Sequence, residues 1–79
     1  MSSTFIVRLL SRETLVARNL CYALNSVYMN DCFILLNADS SDVRTDKRLS
    51  KKDRENMQSF CIGYLYEKGI LYTFIEENN

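Results

Sequence analysis

Residues 50–76, SKKDRENMQSFCIGYLYEKGILYTFIE, decide how this chain is read. Ser50 is a residue type that caps helices, and Asp53, three positions on, is placed as the acidic half of a capping box. Lys68 sits where the negative end of a helix favours a cation, and Gly69 supplies the left-handed residue that stops it. From 70 to 75 the chain switches to β-branched and aromatic residues, which predicts a strand. A capped helix running straight into a strand anchors the fold. It does not specify a function.

Upstream of this anchor, residues 4–10, Thr-Phe-Ile-Val-Arg-Leu-Leu, suit a mostly buried strand. Ser11 is then placed to cap a helix that starts near Arg12 and carries Glu13 in its first turn, where negative charge is favoured. From there to Tyr28 the spacing is helical. At about 100° per residue, Val16, Leu20, Ala23, Leu24 and Val27 share one sector with Ala17 beside it, while Arg18, Asn19, Asn25 and Ser26 fall opposite. A single helix over 4–28 competes with this reading, because Phe5, Ile6 and Leu9 extend the stripe and no Gly or Pro interrupts it. That helix would put Glu13 in the apolar stripe and Val7 in solvent, which favours the break.

Asn30 and Asp31 signal a turn, and the apolar run 32–36, Cys-Phe-Ile-Leu-Leu, predicts a short buried strand. Residues 37–49 are polar and without period, a loop of a length that goes with function or disorder. Residues 76–79 read as a frayed polar tail. The expected fold is therefore α/β (small α+β-like), one domain over 1–79. Three strands carry two packed helices, in the order strand, helix, strand, loop, helix, strand. Helix-linked neighbours imply parallel strands with right-handed crossovers. The alternative is a mostly α fold with 4–28 as one helix.

Composition sets further bounds. Seventy-nine residues bury only about 60–65% of the unfolded surface. Stability on the scale of about 0.05–0.15 kcal/mol per residue then amounts to several kcal/mol, and oligomerisation would relieve it. Ten basic and ten acidic residues cancel, so no global field attracts nucleic acid or a membrane. The local balance differs: within 44–54, six cations face two carboxylates, a net +4, and four cations face eight carboxylates elsewhere, a net −4. Three cysteines, Cys21, Cys32 and Cys61, lie in separate apolar segments, with no CxxC spacing and no histidine. That pattern points to free buried thiols in a reducing compartment, not to a zinc site or a redox pair. The apolar run 5–10 is broken by Arg8 and too short for a signal-peptide core or a membrane span. The expected setting is the cytoplasm, the chain's own or a host's.

The candidate residues fall into two groups. Arg44, Lys47, Arg48, Lys51, Lys52 and Arg54 precede and enter the start of the second helix, where backbone N–H groups already favour an anion. Nucleic-acid phosphate, an acidic protein patch or a small anionic ligand such as a nucleotide would each fit, whereas local pairing with Asp42, Asp46, Asp53 and Glu55 is the bland reading. No aromatic residue lies between 34 and 59 to stack on bases. The second group is apolar residues on polar helix faces: Leu15 and Tyr22 on the first helix, and Ile62 and Tyr66 opposite the core stripe Met57, Phe60, Cys61, Tyr64 and Leu65 on the second. Such residues suit a partner or self-association interface. Scattered surface hydrophobes are also ordinary.

Catalytic constellations are missing from the sequence. Asp39, Asp42 and Asp46 lack the glycine and closing glutamate of a calcium loop. Ser40 and Ser41 have no histidine to activate them, and no glycine-rich phosphate loop is present. No cofactor or metal is implied. The expected function is a small non-enzymatic regulatory protein that binds a partner or its own copy, a homodimer in the simplest case, of the size common among virus-encoded and mobile-element accessory factors. Nucleic-acid binding through the basic segment is the alternative.

Overall fold

The computed structural model describes residues 3–28, 33–35, 41–45 and 50–78. The elements follow the order β1 (Ser3–Leu9), α1 (Thr14–Tyr28), β2 (Phe33–Leu35), β3 (Asp42–Thr45), α2 (Lys51–Lys68) and β4 (Tyr72–Asn78). The α+β character matches expectation, but the sheet has four strands, not three, in the order β2-β3-β1-β4. Each described pairing is antiparallel. Each helix does link two strands that run the same way, as a crossover requires. A third strand is inserted between them: β3 between β1 and β2, and β1 between β3 and β4. The parallel neighbours expected from the sequence are therefore replaced by a split β-α-β plan, ferredoxin-like in connectivity.

The extra strand, β3, lies inside the stretch expected to be a loop. Asp-Val-Arg-Thr offers one apolar side chain, yet three of the four residues are buried. Long-range bonds make this possible. Arg8 opposes Asp42 across β1 and β3, and its Nε and Nη2 donate to the Asp42 carboxylate at 3.0 and 2.9 Å. The Thr45 hydroxyl accepts from the Phe5 N–H at 3.0 Å and donates to the Phe5 C=O at 3.2 Å. The other residues of 37–49 lie outside those described, apart from Ser41. Its C=O accepts from the Leu9 N–H at 3.1 Å, extending the pairing.

The single-helix alternative for 4–28 is overturned by β1. Its alternation puts Phe5, Val7 and Leu9 into the core while Ile6 and Arg8 take the other face. α1 begins at Thr14, later than expected, with no acidic residue in its first turn. Glu13 stands just outside, its C=O accepting from the Ala17 N–H at 2.9 Å. The buried line of α1 is Ala17, Leu20, Cys21 and Leu24, rotated away from the expected sector, so that Val27 is exposed. The C-terminal tail is also corrected: Glu76–Asn78 belongs to β4 and pairs with 3–5 of β1.

α2 has the serine cap and the glycine stop expected of it. The Ser50 hydroxyl accepts from the Asp53 N–H at 3.1 Å. Gly69 adopts φ 69° and ψ 28°. The Gly69 N–H donates to Tyr66 C=O and the Ile70 N–H to Leu65 C=O, both at 3.0 Å, which is the Schellman arrangement. Met57, Cys61 and Leu65 are buried, while Phe60 and Tyr64 are half-buried against the same core. α1 lies over β2 and β3 and beside α2. α2 thus occupies the other half of the helix layer, over β1 and β4.

Candidate functional site

The four exposed hydrophobes expected from the sequence are exposed: Leu15 at 67%, Tyr22 at 66%, Ile62 at 46% and Tyr66 at 84%. Leu15 and Tyr22, seven residues apart, share one line of α1 that points almost directly away from its buried line. Ile62 and Tyr66, four apart, share a flank of α2. The opposite flank, Phe60 and Tyr64, is half-buried, with the two rings stacked at 6.1 Å and the Lys68 ammonium 5.0 Å from the Tyr64 centroid. α1 can lie on only one side of α2. The exposed flank therefore looks away from α1, towards the β4 edge of the sheet. The two pairs form two stripes, one on each helix.

The basic group is divided by the fold. Lys51 and Lys52 are exposed in the first turn of α2 and Arg54 is half-buried there. Arg44 belongs to β3, where Val43 faces the core and the alternation turns Arg44 to the face without helices. Lys47 and Arg48 lie outside the described residues. An anion approaching the start of α2 also meets Asp53 in the first turn, and the Asp53 N–H is already bonded to Ser50.

The sequence reading missed the open face of the sheet. Cross-strand register puts Ile34, Arg44, Ile6 and Ile75 in one row across all four strands. The next row holds Asp42, Arg8 and Thr73, tied by the Arg8–Asp42 ion pair at 2.9 Å. Leu10 and Leu71, joined by a 2.9 Å backbone bond, continue the alternation one step further, and both are more than half exposed, as is Ile34. Period-two alternation in 4–10 was the available signal, masked by Ile6, which is buried although it lies on this face. The face described carries aliphatic and charged side chains. Phe5, Tyr72 and Phe74 turn instead to the helices and pack together at 5.6 and 5.3 Å. The stacking platform that single-stranded RNA finds on four-stranded sheets is not formed by the described residues.

Cys21 and Cys61 are free and buried. Burial raises both thiols, Cys61 to about 12, so neither is a thiolate nucleophile near neutral pH. Cys32 lies outside the described residues. Among those described, no three His, Cys, Asp or Glu side chains are grouped to hold a metal ion. No described helix is long and apolar enough to cross a membrane. Comparison with protein-family models, with curated proteins and with solved structures finds no match to this chain.

Proposed function

We propose that this protein is a small non-enzymatic regulator that works by protein–protein binding, associating with its own copy or occluding a partner's surface. The observation that carries the reading is the exposure of Leu15, Tyr22, Ile62 and Tyr66 on the outer faces of the two helices. Tyrosine and aliphatic side chains left in water on a rigid helix are inexpensive to desolvate and lose little conformational freedom on binding. A reducing cytoplasm, in which Cys21 and Cys61 stay as thiols, is the setting that goes with it.

The test is mass in solution across a concentration series by light scattering, joined to pull-down of candidate partners. At least one of Tyr66→Glu and Tyr22→Glu is expected to weaken association while far-UV circular dichroism stays unchanged. Association that neither substitution touches would sink the reading.

Nucleic-acid binding through the basic segment Arg44, Lys47, Arg48, Lys51, Lys52 and Arg54 is the second reading, supported by the two exposed lysines at the start of α2. Phosphate contacts release counterions, so such binding would fall steeply as salt rises, whereas an apolar interface is nearly insensitive to salt. Titration of labelled single- and double-stranded nucleic acid at two salt concentrations separates the two.

A further inference from the structure

The self-association proposed above acquires a surface, an occupant and a register from the β4 edge. Resting on that reading, we infer that the outer edge of β4, with Ile62 and Tyr66 above it, pairs antiparallel with the same edge of a second copy about a two-fold axis.

Backbone geometry is the first ground. The Leu10 N–H donates to the Leu71 C=O at 2.9 Å, which makes these two a hydrogen-bonded pair of the ladder. Alternation then turns Thr73 and Ile75 towards Arg8 and Ile6, their partners in β1. The N–H and C=O of Tyr72, Phe74 and Glu76 point the other way. Among the described residues no strand covers that side, because β4 ends the sheet. A seven-residue edge without proline or bulge is a template for another strand.

Side chains are the second ground. Tyr72 and Phe74 face the helix layer but are only half-buried there, since the sheet stops beside them. The exposed flank of α2, with Ile62 and Tyr66, looks to the same side. The right-handed crossover typical of such units gives the same placement. Antiparallel pairing centred on Phe74 sets Phe74 against its symmetry mate and Tyr72 against Glu76, with the two α2 flanks meeting above. The half-finished core on this side is thereby completed.

Charge is the third ground, and it selects the orientation. Glu76 and Glu77 lie at one end of β4, while residues 69–72 at the other end carry no charge. Antiparallel pairing brings each acidic end to the partner's uncharged end, whereas parallel pairing would oppose acid to acid. A strand about 24 Å long under a helix layer gives roughly 500 Å² of projected area per copy before side-chain relief, about 1,000 Å² in total. That meets the threshold of about 1,000 Å² for a specific interface and sits below the standard size of about 1,200–2,000 Å².

Amide exchange by NMR and sedimentation equilibrium on the full chain test this. The amides of Tyr72, Phe74 and Glu76 are expected to gain protection as concentration rises through dimerisation. Those of Thr73 and Ile75, bonded to β1, stay protected throughout. Glu76→Pro removes an edge donor and leaves the β1–β4 ladder intact, and it is expected to raise the dimer dissociation constant about tenfold or more, as is Tyr66→Glu. Tyr22→Glu, on the far side of α1, is expected to leave it unchanged. A dimer whose 72, 74 and 76 amides exchange at the monomer rate, or one dissolved by Tyr22→Glu but not by Glu76→Pro, overturns the edge assignment and leaves self-association on another face. A chain that stays monomeric at every concentration overturns the dimer altogether.

Discussion

Helix α1 buries Ala17, Leu20, Cys21 and Leu24 and has neither an acidic residue in its first turn nor a basic one in its last. Helix α2 is three residues longer but buries only Met57, Cys61 and Leu65, and it carries a serine cap, Asp53, Lys68 and a left-handed glycine at its ends. The contrast separates two ways of holding a helix. Short helices are marginal in water and are stabilised mainly by packing an apolar face. α1 follows that rule. α2, with a single buried line along one side, draws a larger share of its order from satisfied terminal N–H and C=O groups. The lightly packed helix is also the one whose exposed flank, with Ile62 and Tyr66, looks to the β4 edge.

The largest effect that tests this contrast is at Leu24, fully buried on α1. Leu24→Ala is expected to cost about 2–5 kcal/mol, a large fraction of the stability of a chain this size, read as a shift in the urea midpoint. A loss no greater than that of an α2 cap substitution would remove the distinction between the helices.

Next in size is the pH dependence of the buried line of α2. The Cys61 thiol rises from its usual 9.0 to about 12 on folding. The folded state therefore keeps a proton that the unfolded state gives up between those values. Stability from this group is complete below about pH 9 and falls as pH rises to about 12, by at most about 1.4 kcal/mol per unit. Denaturation of wild type and Cys61→Ala across this window gives the difference directly; equal slopes would show that the thiol is not shielded from water.

The two glycines of α2 sharpen the comparison with opposite signs. A Cβ at either position meets nothing within 4 Å, so backbone conformation alone decides. Gly69→Ala forces a side chain into the left-handed region and is expected to cost about 1–2 kcal/mol. Gly63→Ala, in the exposed interior of the helix, is expected to add about 0.5–1 kcal/mol by lowering the entropy of the unfolded chain. Thermal melts measure both. If Gly69→Ala were neutral, the end of α2 would not contribute as argued.

Legibility in the sequence followed the range of the interactions. Ser50, Lys68 and Gly69 announce the limits of α2 because capping acts within a few residues. The outward positions of Leu15, Tyr22, Ile62 and Tyr66 follow from helical period alone. The start of α1 was less legible, since Ser11 offered a cap and Glu13 a first-turn charge, while the structure begins the helix only at Thr14. The open sheet face was hidden because Ile6 makes β1 look apolar on both sides.

By itself, the sequence determined two helices, the cap and stop of the second, strands at both ends of the chain, and apolar residues on outer helix faces. These are properties of short windows, where one residue type at one spacing has a local physical consequence. The tertiary structure alone decided that 42–45 is a strand, that every described strand neighbour is antiparallel, and that β4 stands at an edge. Those outcomes depend on partners 34 and 40 residues apart, Arg8 with Asp42 and Phe5 with Thr45. A polar tetrapeptide becomes a buried strand when such partners satisfy it, and no local pattern within 42–45 encodes their arrival.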